Sequence, residues 1–83
     1  MTSARNDNLD WETMSLQDIL ELAIHDEIEA RNYYRRAASQ VENPHTRRMF
    51  ENLSLMEQGH ADQLQRELDE IRLQHDMEAG MAD

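Results

Sequence analysis

The sequence predicts an all-α fold, a two-helix antiparallel hairpin that dimerises into a four-helix bundle. Three observations predict it. Two long segments carry apolar residues at alternating spacings of three and four, the period of one helix face. Only two Gly and one Pro occur in 83 residues, so little interrupts either segment. The single Pro follows Asn43 and separates the two segments, where it can end one helix and open the next.

Taken in order, residues 1–14 are polar and aperiodic and read as a flexible N-terminal arm. Trp11 is the exception in that arm, and the expectation is that it packs on the first helix or on a neighbouring subunit. Ser15 followed by Asp18 gives a helix start of the capping-box kind, with an acidic group near the positive end of the helix dipole. From there Leu16, Leu20, Ala23, Glu27, Ala30, Tyr34, Ala37 and Val41 form one stripe, the seam of a bundle helix. Glu27 is the charged residue in that stripe, and its Ala residues allow a partner helix to come close. The helix is expected to run to about Val41, roughly 40 Å at 1.5 Å per residue.

Glu42-Asn43-Pro44 makes a short turn, with Asn43 as the N-cap of the second helix. That helix carries Phe50, Leu53, Glu57, His60, Ala61, Leu64, Leu68 and Ile71 on its stripe, again with the polar members near the middle. Gly59 costs about 1 kcal/mol relative to Ala in a helix interior. Past Ile71 the periodicity weakens and Gly80 is a plausible stop, so a bend or a short separate C-terminal helix is expected there. The resulting division is a hairpin over 15–78 and a disordered tail over 79–83.

Composition narrows the function classes. There is no Cys, so thiolate sites and disulfides are excluded. No apolar run approaches the roughly 20 residues of a membrane span, and no basic-then-apolar leader opens the sequence. A soluble, cytoplasmic protein with no membrane partner is the expectation. Net charge is −10, with eight Arg and no Lys, which disfavours a nucleic-acid backbone as partner. Neither a Gly-rich phosphate loop nor a Ser/His/Asp arrangement is present.

Glu57 and His60 form a Glu-x-x-His step. Residues three apart on a helix stand on one face, so a carboxylate oxygen and an imidazole nitrogen can aim at one point. Bundle proteins with two metal ions use that step together with a lone Glu from a neighbouring helix, and Glu27 is such a Glu. One hairpin leaves a side of its seam uncovered. A two-fold pairing covers it by the simplest symmetric route and doubles the set to four carboxylates and two imidazoles. Two divalent ions balance those four carboxylates, and without them buried unpaired charge is costly. Oxygen-rich ligation with one nitrogen per ion suits Fe, Mn or Zn rather than Cu(I). Two other classes stay open on these residues: a metal-holding or structural helical oligomer without turnover, and a coiled-coil adaptor whose seam Glu residues set register.

Asp26-Glu27-Ile28-Glu29-Ala30, Tyr33-Tyr34, Asn43-Pro44 and Glu57-Gln58-Gly59-His60-Ala61 together resemble the ferritin-like proteins, and more closely the encapsulated ferritins. The likeness covers about residues 18–72. A broader likeness to the rubrerythrins lies in Glu27-Ile28-Glu29-Ala30-Arg31, although those carry a full bundle on one chain. The resemblance implies a ferroxidase that oxidises Fe(II) with O₂, in which Glu27, Glu57 and His60 from each of two chains hold a di-iron centre. It further implies a ring-shaped decamer working inside an encapsulin shell and feeding iron storage there. Asp26 and Glu29 match the acidic residues that form a secondary metal-uptake site in that family. Tyr33 stands where the family usually has Trp, and the family's counterpart of Asp26 is a Glu.

Other residues have blander readings. Tyr34 packs beside the site. His25, His45 and His75 lack partner spacing and read as surface residues. Arg31, Arg35, Arg36, Arg47 and Arg48 read as surface or inter-subunit ion pairs, each contributing little alone. The Met residues read as gap-fillers.

Overall fold

The computed structural model describes residues 10–81, which form two helices, α1 (Leu16–Gln40) and α2 (Pro44–Met81), packed antiparallel. Among the described residues there is no strand. The expectations for residues 1–9 and 82–83 fall outside the described residues.

The local signals act as their chemistry requires. Ser15 Oγ accepts from the Asp18 amide at 3.1 Å, and Asp18 Oδ2 accepts from the Ser15 amide at 3.2 Å, which closes a reciprocal cap. At the other end α1 stops at Gln40, because Val41 turns to extended backbone at φ −98° and ψ 138°. Asn43 Oδ1 accepts from the amides of His45 at 2.9 Å and Thr46 at 3.1 Å, so α2 opens on Pro44 with two otherwise orphaned donors satisfied. Arg47 reaches back with Nε and Nη2 to the Val41 carbonyl, tying the start of α2 to the end of α1.

One expectation is corrected. Helix α2 continues without a break through Gly80 to Met81, so there is no separate C-terminal helix. Gly80 keeps helical backbone without a positive φ, the conformation that usually makes Gly a stop. Leu16, in the α1 stripe and at the first helical position, is 58% exposed in the single hairpin. Residues 11–13, expected within the arm, form a turn in which Thr13 donates its amide and hydroxyl to the Asp10 carbonyl at 3.2 and 3.1 Å. Trp11 beside it remains 49% exposed.

The buried apolar residues are Leu20 and Ala38 in α1 and Ala61 and Leu68 in α2. The molecule measures 60 × 27 × 13 Å. Thirteen ångströms is about the diameter of one helix with its side chains, so the hairpin is a single layer and both broad faces meet solvent. Asp26, Ser54 and Glu57 are buried alongside the apolar residues, which is a large polar share for so thin a core.

Candidate metal centre

Glu27 sits midway along α1 and Glu57 and His60 sit midway along α2, so antiparallel packing brings all three to one level. One oxygen from each carboxylate and one nitrogen from the imidazole lie within 4.8 Å of one another. His60 Nδ1 is 3.3 Å from Glu27 Oε2 and 3.4 Å from Glu57 Oε1.

Those separations are long for charge-assisted hydrogen bonds, which run at about 2.7–2.9 Å. They match a different geometry. Ligand atoms about 2.0–2.2 Å from one metal ion stand roughly 3.0–3.4 Å from each other at octahedral to tetrahedral angles. Nδ1 is equidistant from two carboxylates rather than bonded tightly to one.

Burial and charge point the same way. Glu57 is only 7% exposed, and its Oε2 has no hydrogen-bond partner. Burial pushes the Glu57 carboxyl above its ordinary range, the Glu27 carboxyl within hydrogen-bond reach adds to that, and His60 opposes it. Two carboxyl groups crowded together repel when both ionise. A cation among them removes that repulsion and gives the orphaned oxygen a partner. The residues present therefore fit a divalent metal ion, with two carboxylates balancing its charge. His60 closes the cluster on the outside, its side chain 54% exposed.

The neighbouring residues take several roles. Tyr34 lies two turns beyond Glu27 and stacks on Phe50 of α2 with ring centroids 6.2 Å apart, and Tyr33 meets it edge-on at 5.5 Å. Asp26 and Glu29 stand outside the three-residue cluster. Asp26 is buried, although its place off the seam suggests an exposed acidic face, and Glu29 is exposed and pairs with His25 one turn earlier. His25 thus has a partner four residues on, at the spacing of one helix face. Within the hairpin Arg31 donates to Asn32 and Gln58, and Arg47 to the Val41 carbonyl. Arg72 pairs with Glu21 across the hairpin.

Sequence reading missed the polar residues that flank the cluster. Arg31 lies four residues after Glu27, Gln58 follows Glu57, and Asp62 lies four residues after Gln58. That spacing carried the signal, since positions four apart share a helix face. Ser54, one turn before Glu57, is buried without belonging to the apolar stripe.

No helix among the described residues is long and apolar enough to cross a membrane. Comparison with curated proteins finds no match, and comparison with solved structures finds none. Comparison with family models matches residues 18–82 to Rubrerythrin, a stretch that contains both helices' seams, the Glu27–Glu57–His60 cluster and most of the chain. The chain belongs to the rubrerythrin family, within the ferritin-like di-iron superfamily.

Proposed function

We propose that this protein is a ferroxidase, oxidising Fe(II) to Fe(III) with O₂ at a di-iron site completed by two chains. The observation that carries the reading is the convergence of Glu27, Glu57 and His60 with an orphaned carboxylate oxygen among them. Membership of a di-iron family supports iron over the other metals that these ligand types accept.

Iron bound there supplies the electrons that reduce O₂; the chain supplies ligation and charge. Glu27 and Glu57 bring −2 per chain, so two chains match two divalent ions. His60 offers Nδ1 as the ligand atom, which leaves its proton on Nε2, and a half-exposed ring can exchange that proton with solvent. Protons compete with metal for the Glu57 carboxylate, so metal uptake weakens as pH falls.

The single-layer hairpin supports pairing. A second copy laid on the face that carries His60 covers the stripe and supplies the other half of the ligand set, giving a four-helix bundle. The resemblance to encapsulated ferritins extends the proposal to a ring of ten chains held inside an encapsulin shell that stores the mineral.

Aerobic addition of Fe(II) tests the enzyme. Fe(III) is expected to form faster than in buffer, and to fall to the buffer rate in Glu57→Ala and His60→Ala. Rates equal to buffer for the unmodified protein would leave a non-catalytic metal-binding oligomer. Sedimentation with and without metal tests the pairing, and assembly indifferent to metal and strengthened by Glu27→Leu would leave a coiled-coil adaptor. Co-expression with an encapsulin and co-sedimentation with its shell tests the last step.

A further inference from the structure

Beside the cluster, a chain of polar side chains crosses from α1 to α2. Arg31 donates through Nη1 to Gln58 Oε1, in a part-buried bond between the helices. Both ends are held. Arg31 Nε and Nη2 donate to Asn32 Oδ1 at 3.1 and 3.0 Å, and Gln58 Nε2 donates to Asp62 Oδ1 at 2.9 Å. The guanidinium is therefore fixed in its own plane by Asn32, and the Gln58 amide is oriented by Asp62 before the two meet.

Their location matters more than their number. Arg31 is one turn beyond Glu27, and Gln58 is bonded in sequence to Glu57. Successive helix residues step about 100° around the axis, so Gln58 projects to one side of Glu57 and His60 to the other. The bridge thus braces the face opposite His60, at the level of the cluster.

A brace is needed there. The buried neighbours on α2 at that level are Ser54 and Ala61, small side chains that interlock weakly, while the larger buried Leu20 and Leu68 lie further along the hairpin. A slip of one residue displaces one helix by about 1.5 Å along its axis. Ligand atoms spaced 3.3 and 3.4 Å apart do not tolerate that displacement. We infer that Arg31 and Gln58 are positioning residues that fix the register of the two ligand-bearing helices and so set metal affinity. This rests on the metal-site reading above, and it adds two residues that touch no ligand atom.

The sign of the effect separates this role from simple electrostatics. Removing a positive charge near a cation site should tighten binding by Coulomb attraction alone. Removing a register brace should loosen it. The probe is Co(II), whose visible absorption reports both binding and ligand geometry, titrated into the full chain and into Arg31→Met, Gln58→Met and the double variant. The expected result is about a tenfold loss of Co(II) affinity in each single variant, on the order of an outer-shell loss. The double variant is expected to lose no more than either single one, since both remove one bridge. Arg31→Lys, which keeps one donor within reach, should recover part of the loss, and helical circular dichroism should stay unchanged throughout. Unchanged or tighter Co(II) binding in Arg31→Met, or losses that add in the double variant, would overturn the inference. Failure of the unmodified chain to bind Co(II) would instead overturn the metal-site reading. If Arg31→Met does not fold, Gln58→Met against Arg31→Lys carries the same comparison.

Discussion

His60 Nδ1 and Glu27 Oε2 stand 3.3 Å apart across the hairpin although 33 residues separate them in the chain. The contact is too long to be a strong ion pair and is well matched to two ligands of one ion. Its removal should be felt in metal binding and hardly at all in folding. Glu27→Ala and His60→Ala are each expected to weaken Fe(II) binding by more than the roughly 10–100-fold typical of an outer-shell loss. Anaerobic titration followed by calorimetry measures it, with helicity as the control.

Glu57 links the metal-free protein's stability to pH. Its folded pKa is raised from 4.5, so the folded state takes up the proton more readily than the unfolded chain does. Its stabilising contribution is complete below the unfolded value and is lost as pH rises through the folded value. Metal-free wild type should therefore lose stability relative to Glu57→Gln as pH climbs from about 4.5 through that window. Urea unfolding of both proteins at a series of pH values gives the difference. Wild type gaining stability relative to Glu57→Gln as pH rises would contradict the assignment.

Gly59 is exposed, and a Cβ built on it meets nothing within 4 Å. Among the described residues nothing packs closely against it. Gly59→Ala should stabilise α2 by about 1 kcal/mol, the propensity difference in a helix interior. Thermal unfolding of the metal-free protein reads this directly. A destabilised variant would mean that another chain packs against Gly59.

Ser15 holds the start of α1 through one side-chain oxygen and one backbone amide. Ser15→Ala should cost about 1 kcal/mol and should fray the first turn first. Amide exchange is expected to accelerate at Ile19 and earlier, with Glu27 and its neighbours unaffected.

Much of this fold was legible because it is local. The reciprocal cap at Ser15 and Asp18, the Asn43-Pro44 junction and the stripe running from Phe50 to Ile71 each follow from residues within a turn or two of one another. The same is true of the pairing of Glu57 with His60. What escaped was set across the hairpin or at its ends. Arg31 reads as a surface cation until Gln58 is seen opposite it. The burial of Asp26 and Ser54 depends on how the two helices are rotated, and seam periodicity does not report that rotation. The run of α2 through Gly80 was missed because Gly lowers helix propensity without forbidding the helix, and 38 continuous residues absorb that cost.

Helix α1 begins and α2 ends at the same end of the hairpin, opposite the Asn43-Pro44 turn. In evolutionary terms this is a unit that gene duplication can use. Two copies joined head to tail would need one connection, from the end of one α2 to the start of the next α1, a long crossover in ferritin-like bundles. Both sets of Glu27, Glu57 and His60 would then be encoded in one reading frame, and the second set would be free to diverge from the first.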